Sequence, residues 1–243
     1  MKVSCICATY NRPLSYQWLI EEAVESFLRQ DYVEKELLIL NDCPGQELVC
    51  DAPDVLVVNF PRRFHSHGEK LNAGIALATG DLLTPWDDDD IMLPWRLSKS
   101  VERLADADYF NSRMFWLLDS RGLHKEHGMG VGQNGSIFTR PAFDLADGYP
   151  HVSGGADALL DQRLRRHPQV KQASSSTLEV HEWYYIYRWG VSPTHLSSRE
   201  PYAEWYQQIG KRPIEQGRYL LSPHWKEDYL SRTREAIARN EQL

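Results

Sequence analysis

Four consecutive aspartates are the residues of this sequence that are best suited to chemistry. Residues 87–90 lie between the apolar segments "LLTPW" and "IMLPW", which indicates that the run emerges from a folded core. Like charges this close raise one another's pKa unless a cation compensates them. Because Mg²⁺ and Mn²⁺ prefer oxygen ligands, the run favours a divalent metal site. The alternative is a solvated acidic loop beside a helix N-terminus, where carboxylates are also stabilised.

The arrangement of the four side chains depends on the backbone. In an extended segment, successive side chains alternate between two faces. Asp87 and Asp89 would then face one way, and Asp88 and Asp90 the other. One pair would serve a metal and a ligand, while the second pair would meet solvent or backbone.

The elements that position this run alternate between strands and helices. The apolar patterns predict strands over 2–10, 35–42, 54–60 and 81–86, and helices over 15–30, 68–80 and 93–105. Such alternation is typical of an α/β sandwich around a mostly parallel sheet. Ligands bind outside the carboxyl ends of the strands in such sheets. The polar strand endings "TYNRP", "ND" and "DDDD" should therefore meet at one edge.

After residue 106 the pattern changes. We expect a hairpin around "SRG", a strand in "NGSIFTR" and a helix over 155–167 with Leu159, Leu160 and Leu164 facing inward. The tail segments "YAEWYQQIG" and "HWKEDYLSRTREAIAR" predict two further helices. The whole is interpreted as one domain with a helical C-terminal extension.

Composition excludes some function classes. The formal net charge is -7, which argues against a generally basic nucleic-acid or membrane binder, although "PRRFHSH" and "RLRRH" are local basic patches. No segment approaches the roughly 18 apolar residues that span a bilayer. The N-terminus lacks the pattern of a signal peptide. Free cysteines and a cytoplasmic location are therefore expected, and Cys5 and Cys7 should share one buried strand face.

Four segments together resemble family 2 glycosyltransferases: "VSCICATYNRP", "LLILND", "KLNAGIALATGDLLTPWDDDDIMLPWRL" and "GADALLDQRL". The resemblance covers residues 1–195. It implies a GT-A fold, a Rossmann-like nucleotide-binding α/β sandwich with a mixed central sheet. It also implies an inverting transfer of a sugar from a nucleotide-diphosphate donor, expected to be a UDP-sugar, with Mn²⁺ or Mg²⁺ as cofactor. Residues 1–105 would form the donor half, 106–195 the acceptor and catalytic half, and 196–243 the helical extension.

The resemblance also implies roles for individual residues. Donor-binding residues are expected at Thr9, Tyr10, Asn11, Arg12, Asp42, Lys70, Asn72, Asp87 and Asp88. Within that set, the turn after the first strand would hold the base and ribose, Asp42 would accept from the uracil N–H, and Lys70 would meet a phosphate. Asp89 is the expected direct metal ligand, with Asp87 and His195 as further metal contacts.

The catalytic base of the family opens a helix in a Glu-Asp-like pair. Asp157 occupies that position here, but Ala156 replaces the preceding acid and Leu159 replaces a common later one. Asp157 is therefore the expected base, Asp161 is the fallback, and a plain helix-start carboxylate is the alternative for Asp157.

The acceptor is less well specified. A glycan is expected, and a hydroxymethylated base of DNA is the alternative. A protein of another class, a non-catalytic module that binds nucleotide sugars, would keep Asp42 and Asp89 but not use Asp157. An aromatic cluster is open to two interpretations, core packing or stacking on a sugar or base. Its members are Trp183, Tyr184, Tyr185, Tyr187 and Trp189.

Overall fold

The structure is a computed structural model, and it describes residues 1–12, 14–127, 133–192, 195 and 202–241. The strands, in chain order, are β1 (Val3–Thr9), β2 (Lys35–Asn41), β3 (Gln46–Val49), β4 (Val55–Asn59), β5 (Leu82–Pro85), β6 (Ile91–Met92), β7 (Tyr109–Asn111), β8 (Met114–Asp119), β9 (Gly122–His127), β10 (Ser136–Thr139), β11 (Tyr185–Arg188) and β12 (Gly217–Leu220). The helices are α1 (Gln17–Leu28), α2 (His67–Leu77), α3 (Arg96–Leu104), α4 (Arg140–Leu145), α5 (Ala156–Arg166), α6 (Tyr202–Ile209) and α7 (Tyr229–Glu241).

The central sheet has six strands in the order β4-β2-β1-β5-β10-β7. The four strands from β4 to β5 run parallel, whereas β10 is antiparallel to both of its neighbours, so the sheet is mixed. Residues 37–40 of strand β2 are all apolar and at most 1% exposed, so this part of the sheet is buried on both faces. A continuous apolar strand suits a sheet that is covered on both faces.

Two apolar cores cover the two faces. Cys5 and Cys7 belong to one core with α1 and α3, and Ile6 between them belongs to the other with α2, α4 and α5. The alternation of β1 therefore places the two thiols on one face, as predicted, and both are buried and free.

The parallel strands bring their carboxyl ends to one edge. Thr9, the last residue of β1, pairs in register with Asn41, the last residue of β2. Strand β5 pairs with β1 on its other side and leads directly into residues 87–90. The convergence that the polar strand endings predicted is therefore present.

A second, four-stranded sheet begins where the aspartates end. Its order is β6-β11-β8-β9, and β8 and β9 form the predicted hairpin. The aromatic cluster packs into this region: four of its five members are at most 9% exposed, whereas Trp189 is 47% exposed. Core packing is thus the correct interpretation for those four rings. The short strands β6 and β11 were not predicted, because segments of two and four residues carry little periodicity.

The C-terminal part contains the two predicted helices, α6 and α7, and one further strand. Strand β12 pairs in parallel with β3, so the extension is joined to the rest of the chain by a two-stranded sheet. One predicted core residue is wrong: Leu159 is 41% exposed, while Leu160 and Leu164 are buried. None of the helices in the described residues is both long and apolar enough to cross a membrane.

Candidate active site

The four aspartates form a turn, which we call the acidic turn (residues 87–90), between β5 and β6. The predicted alternation of an extended segment is wrong, because the turn brings three of the carboxylates together. Ligand oxygens of Asp87, Asp89 and Asp90 lie within 4.8 Å of one another. The fourth carboxylate, Asp88, has a different partner.

Asp88 is bound by Arg12, which follows β1. Arg12 donates from Nε to Asp88 Oδ2 at 2.8 Å and from Nη2 to Asp88 Oδ1 at 2.5 Å. The same Nη2 donates to Asp89 Oδ2 at 2.8 Å, and Nη1 donates to Ser192 Oγ at 2.8 Å. Burial disfavours a charged guanidinium, but the carboxylates outweigh it and raise the pKa of Arg12. Arg12 likewise outweighs the effect of burial on Asp89 and lowers the pKa of Asp89.

Asp87 and Asp90 are in the opposite electrostatic situation. Burial, followed by the charges of Asp90 and Asp89, raises the pKa of Asp87 well above its ordinary value, although Asn134 donates to it. Burial and the charge of Asp89 raise the pKa of Asp90 to about 8. Asp90 accepts hydrogen bonds from Tyr185 Oη at 2.7 Å and from the Arg188 backbone N–H at 2.8 Å.

These carboxylates fit a divalent cation. Three buried or half-buried oxygen donors within 4.8 Å, two of them with raised pKa values, are a set that a hard cation would compensate. Asp87, Asp89 and Asp90 would hold such an ion, so the structure adds Asp90 to the residues that the sequence indicated. His195 does not belong to this group in the part of the chain that the structure describes. Its ring packs against Tyr187, and burial lowers its pKa, although the charge of Asp89 acts in the other direction.

The nucleobase end of the expected site is built around a buried ion pair. Lys70 Nζ lies 2.6 Å from Asp42 Oδ1 and donates to the Thr9 carbonyl oxygen at 2.6 Å. The second oxygen of Asp42 accepts from the Phe64 backbone N–H at 3.0 Å. The structure thus places Lys70 beside Asp42, at the carboxyl ends of β1 and β2.

The turn after β1 contacts the C-terminal part of the chain. Asn11 has a φ of +46°, in the left-handed region that asparagine tolerates, and its Nδ2 donates to the Pro213 carbonyl at 3.1 Å. The guanidinium of Arg63 lies 4.3 Å from the centre of the Tyr10 ring and 4.0 Å from that of Tyr206. Arg63 is therefore held between two rings and does not form an open basic patch.

Asn72 has a positioning contact. Its amide donates to the Tyr149 carbonyl at 2.8 Å and accepts from the Tyr149 N–H at 2.9 Å. Tyr149 lines a small cavity together with Asp157 and Pro85, the last residue of β5. Asn72 on α2 thereby fixes a wall of the cavity that the predicted base faces.

The two acids of α5 have different surroundings. Asp157 is in the first turn of the helix, and burial raises its pKa. Its charge also contributes to the raised pKa of Asp87, after burial and the charges of Asp90 and Asp89. Asp161, the fallback base, accepts from Tyr109 Oη, from Asn111 Nδ2 at 3.3 Å and from Arg113 Nη2 at 3.1 Å. Asp161 is therefore committed to neighbouring side chains.

Sequence reasoning missed several residues that support the acidic turn. Arg96 is fully buried and donates to the backbone carbonyls of Asn134, at 2.6 Å, and Ser136, at 3.1 Å. Asn134 in turn contacts Asp87. The signal for Arg96 was an arginine inside the otherwise apolar "IMLPWRL". Arg188, in "YYIYRW", gave a similar signal, because it follows a run of aromatic and apolar residues.

Comparison with solved structures identifies the class of fold. A crystal structure of S. aureus TarS residues 1–349 matches with a TM-score of 0.59 at 17% identity, over 77% of this chain and 60% of that chain. The same TarS segment in complex with UDP-GlcNAc matches with a TM-score of 0.59, over 86% and 65% of the two chains. At this identity the likeness concerns the fold alone, and it confirms the predicted GT-A fold.

Sequence comparison identifies the family. The sequence model of the family "Glycosyl transferase family 2" matches residues 4–158, so this chain belongs to glycosyl transferase family 2. The glycosyltransferase YwdF of Bacillus subtilis is 32% identical over 117 residues, 46% of this chain and 41% of YwdF. The succinoglycan biosynthesis protein ExoO of Rhizobium meliloti is 34% identical over 110 residues, 43% of this chain and 30% of ExoO. The predicted family and the enzyme class are confirmed, and the matches span less than half of each relative.

Proposed function

We propose that this chain transfers a sugar from a UDP-sugar to a hydroxyl group of a glycan, with inversion and with Mn²⁺ or Mg²⁺ as cofactor. The observation that carries the proposal is the three-carboxylate group of the acidic turn, at the carboxyl edge of the parallel strands. Asp157 lines a small cavity together with Pro85, the last residue of β5. TarS has been crystallised with UDP and with UDP-GlcNAc, which supports a uridine nucleotide as the donor.

The donor would lie along the carboxyl ends of β1, β2 and β5. Tyr10 and Asp42 stand at the end that would take the base, and Arg12 links the first strand to the acidic turn, where the ribose and diphosphate would follow. Asp42 must exchange one of its present contacts for the uracil N–H. Asp87, Asp89 and Asp90 would hold the divalent ion, whose positive charge would stabilise the negative charge of the leaving diphosphate.

Asp157 is the proposed general base. It would accept the proton of the acceptor hydroxyl as that oxygen forms a bond to the anomeric carbon. The bond between the anomeric carbon and the diphosphate oxygen breaks on the opposite side, so the configuration inverts. Its raised pKa and its lack of an ion pair among the described residues suit this role, because the carboxylate is free to take a proton.

A glycan is the proposed acceptor. ExoO is named for the biosynthesis of a polysaccharide, which supports this choice. The basic patches give little support to DNA, since Arg63 is stacked between two tyrosines and Arg163 donates to the carbonyls of residues 146–148 at 3.3 Å. The divisions at residues 105 and 195 and the cytoplasmic location stay predictions.

The test compares the two acids of α5. Asp157→Asn should lower the transfer rate by about 10²–10⁴-fold, the usual contribution of a general base, with the affinity for the UDP-sugar unchanged. The control is Asp161→Asn, which alters a carboxylate one turn away on the same helix. Transfer is measured as release of UDP in the presence of Mn²⁺ and a panel of glycans. Equal turnover of Asp157→Asn and the wild type would remove Asp157 from the mechanism and favour a different base.

A further inference from the structure

Arg188 is a buried cation at the back of the acidic turn. It is the last residue of β11 and is 2% exposed. Its backbone N–H donates to Asp90 Oδ1 at 2.8 Å, and its Nε donates to the backbone carbonyl oxygen of Asp89. A single residue therefore holds the main chain of one candidate metal ligand and the side chain of another.

Arg188 is itself held by a carboxylate from the other side of the core. Its Nη1 forms an ion pair with Glu22 of α1, whose exposure is 0%. Because guanidinium geometry is planar and rigid, contacts on Nε and Nη1 together fix the orientation of the whole group. The position of Glu22 thus determines where Arg188 presents its Nε to the Asp89 carbonyl, whereas its backbone N–H is positioned by β11.

The C-terminal part of the chain completes this arrangement. Glu22 Oε1 accepts from the Lys226 backbone N–H at 2.8 Å and from Tyr229 Oη at 3.0 Å. Tyr229 is the first residue of α7 and is 3% exposed. These residues lie well beyond residue 158, where the match to the family ends.

Stability alone does not account for such an arrangement. Desolvation of both charges makes a buried ion pair a weak source of stability, and apolar residues of similar volume often serve as well. An ion pair with fixed geometry does, however, define the positions of its two side chains. Glu22 and Tyr229 contact Nη1 of Arg188, while its Nε and backbone N–H contact residues 89 and 90. The position that the ion pair defines is therefore that of the acidic turn.

We propose that Arg188 is a positioning residue for the acidic turn, and that Glu22 and Tyr229 hold it in place, so that the C-terminal extension contributes to metal binding. The inference rests on the proposed function of the turn. Tyr229, Glu22 and the guanidinium of Arg188 form a continuous chain of contacts from α7 to the backbone carbonyl of Asp89.

The experiment compares two hydroxyl deletions in α7. Tyr229→Phe removes the hydroxyl that donates to Glu22 and accepts from Arg188 Nη1 at 3.4 Å. Thr233→Val removes a buried hydroxyl that donates to the Tyr229 carbonyl at 2.7 Å. Mn²⁺ affinity is measured by calorimetry on the full chain, without donor or turnover. Loss of a residue that supports metal ligands typically weakens metal binding by about 10-fold or more. We expect that loss for Tyr229→Phe and for Glu22→Gln, and no change for Thr233→Val.

Two further measurements separate positioning from stability. The melting temperature should fall for both α7 variants, so it does not distinguish them, whereas the Mn²⁺ affinity should. Arg188→Lys keeps the positive charge but loses the planar set of guanidinium donors. We therefore expect weaker Mn²⁺ binding for this variant. Equal Mn²⁺ affinity for Tyr229→Phe, Glu22→Gln and the wild type would overturn the positioning role while the proposed function stands. Failure of the wild type to bind Mn²⁺ would instead overturn the metal site and the inference with it.

Discussion

The acidic turn and α5 each contain one aspartate that is bound by an arginine and another whose pKa is raised. In the acidic turn, Asp88 is bound by Arg12, while Asp87 has a raised pKa. In α5, Asp161 is bound by Arg113, while Asp157 has a raised pKa. Neither Asp87 nor Asp157 has an ion pair within the described ranges. Asp88 and Asp161 therefore maintain the architecture, whereas Asp87 and Asp157 remain available for a ligand or a proton. Asp89 combines both situations, because Arg12 contacts one of its oxygens and it also belongs to the three-carboxylate group.

The largest expected effect separates Asp87 from Asp88. Loss of a residue that supports a metal ligand typically reduces activity by about 10–100-fold. Asp87→Asn removes a candidate ligand itself, so we expect a larger reduction in metal-dependent transfer. The same change should raise the melting temperature of the metal-free protein, because it removes one of several buried like charges. Both quantities are measured on one preparation.

Asp88→Asn is the matched control. It breaks the bidentate contact with Arg12 and should lower the melting temperature, since it leaves a buried guanidinium with fewer partners. Melting temperatures that shift in the same direction for both variants would contradict the distinction between partnered and available acids.

A smaller effect is expected for Asp161. Asp161→Asn weakens the contacts with Tyr109, Asn111 and Arg113 and should lower the free energy of unfolding by about 1–3 kcal/mol. Urea unfolding measures this loss. Calorimetry should show unchanged affinity for the UDP-sugar, and weakened donor binding at unchanged stability would assign Asp161 to the site instead.

The pH dependence of stability tests whether the carboxylates of the acidic turn are buried. The pKa of Asp90 is raised from 3.8 to about 8 in the folded protein. Its stabilising contribution is therefore fully present below the ordinary value and is lost as the pH rises through about 8. The metal-free protein should melt at a lower temperature as the pH rises over this window, and Asp90→Asn should reduce that slope. A melting temperature that rises over the same window, without metal, would contradict the burial of these charges.

The smallest expected effect concerns the outer face of α5. Leu159→Ala should change the free energy of unfolding by no more than about 0.5 kcal/mol, because the side chain is 41% exposed. Leu160→Ala, at a neighbouring buried position, should cost about 2–5 kcal/mol. Chemical denaturation of both variants checks the orientation of the helix that carries Asp157, and similar losses would mean that the helix is rotated.

Much of the fold could be predicted from sequence because its long elements have strong periodicity. Strands β1, β2, β4 and β5 and helices α1 to α3 followed from apolar runs and helical spacing, as did the shared edge of polar strand ends. Strand β12 could not be predicted, since its four residues are largely exposed and acquire a partner only when the chain returns to β3.

The residue types of the site could be predicted from the sequence, but the contacts between those residues could not. The acidic run was visible as an unusual charge cluster, yet its turn geometry, the partnership of Asp88 with Arg12 and the contribution of Asp90 depend on contacts between distant residues. The same holds for Arg188 and Glu22, which are 166 positions apart. Spacing along a sequence predicts local geometry, whereas partners across the core become visible only in the folded chain.

The most direct test of the account is calorimetric titration of the full chain with UDP-GlcNAc and other UDP-sugars, with and without Mn²⁺. We expect that Mn²⁺ strengthens the binding of at least one donor and that Asp89→Ala abolishes this difference while the variant remains folded. Binding of a donor with the same affinity with Mn²⁺, without it and in Asp89→Ala would contradict the claim that the acidic turn holds a divalent ion against the diphosphate.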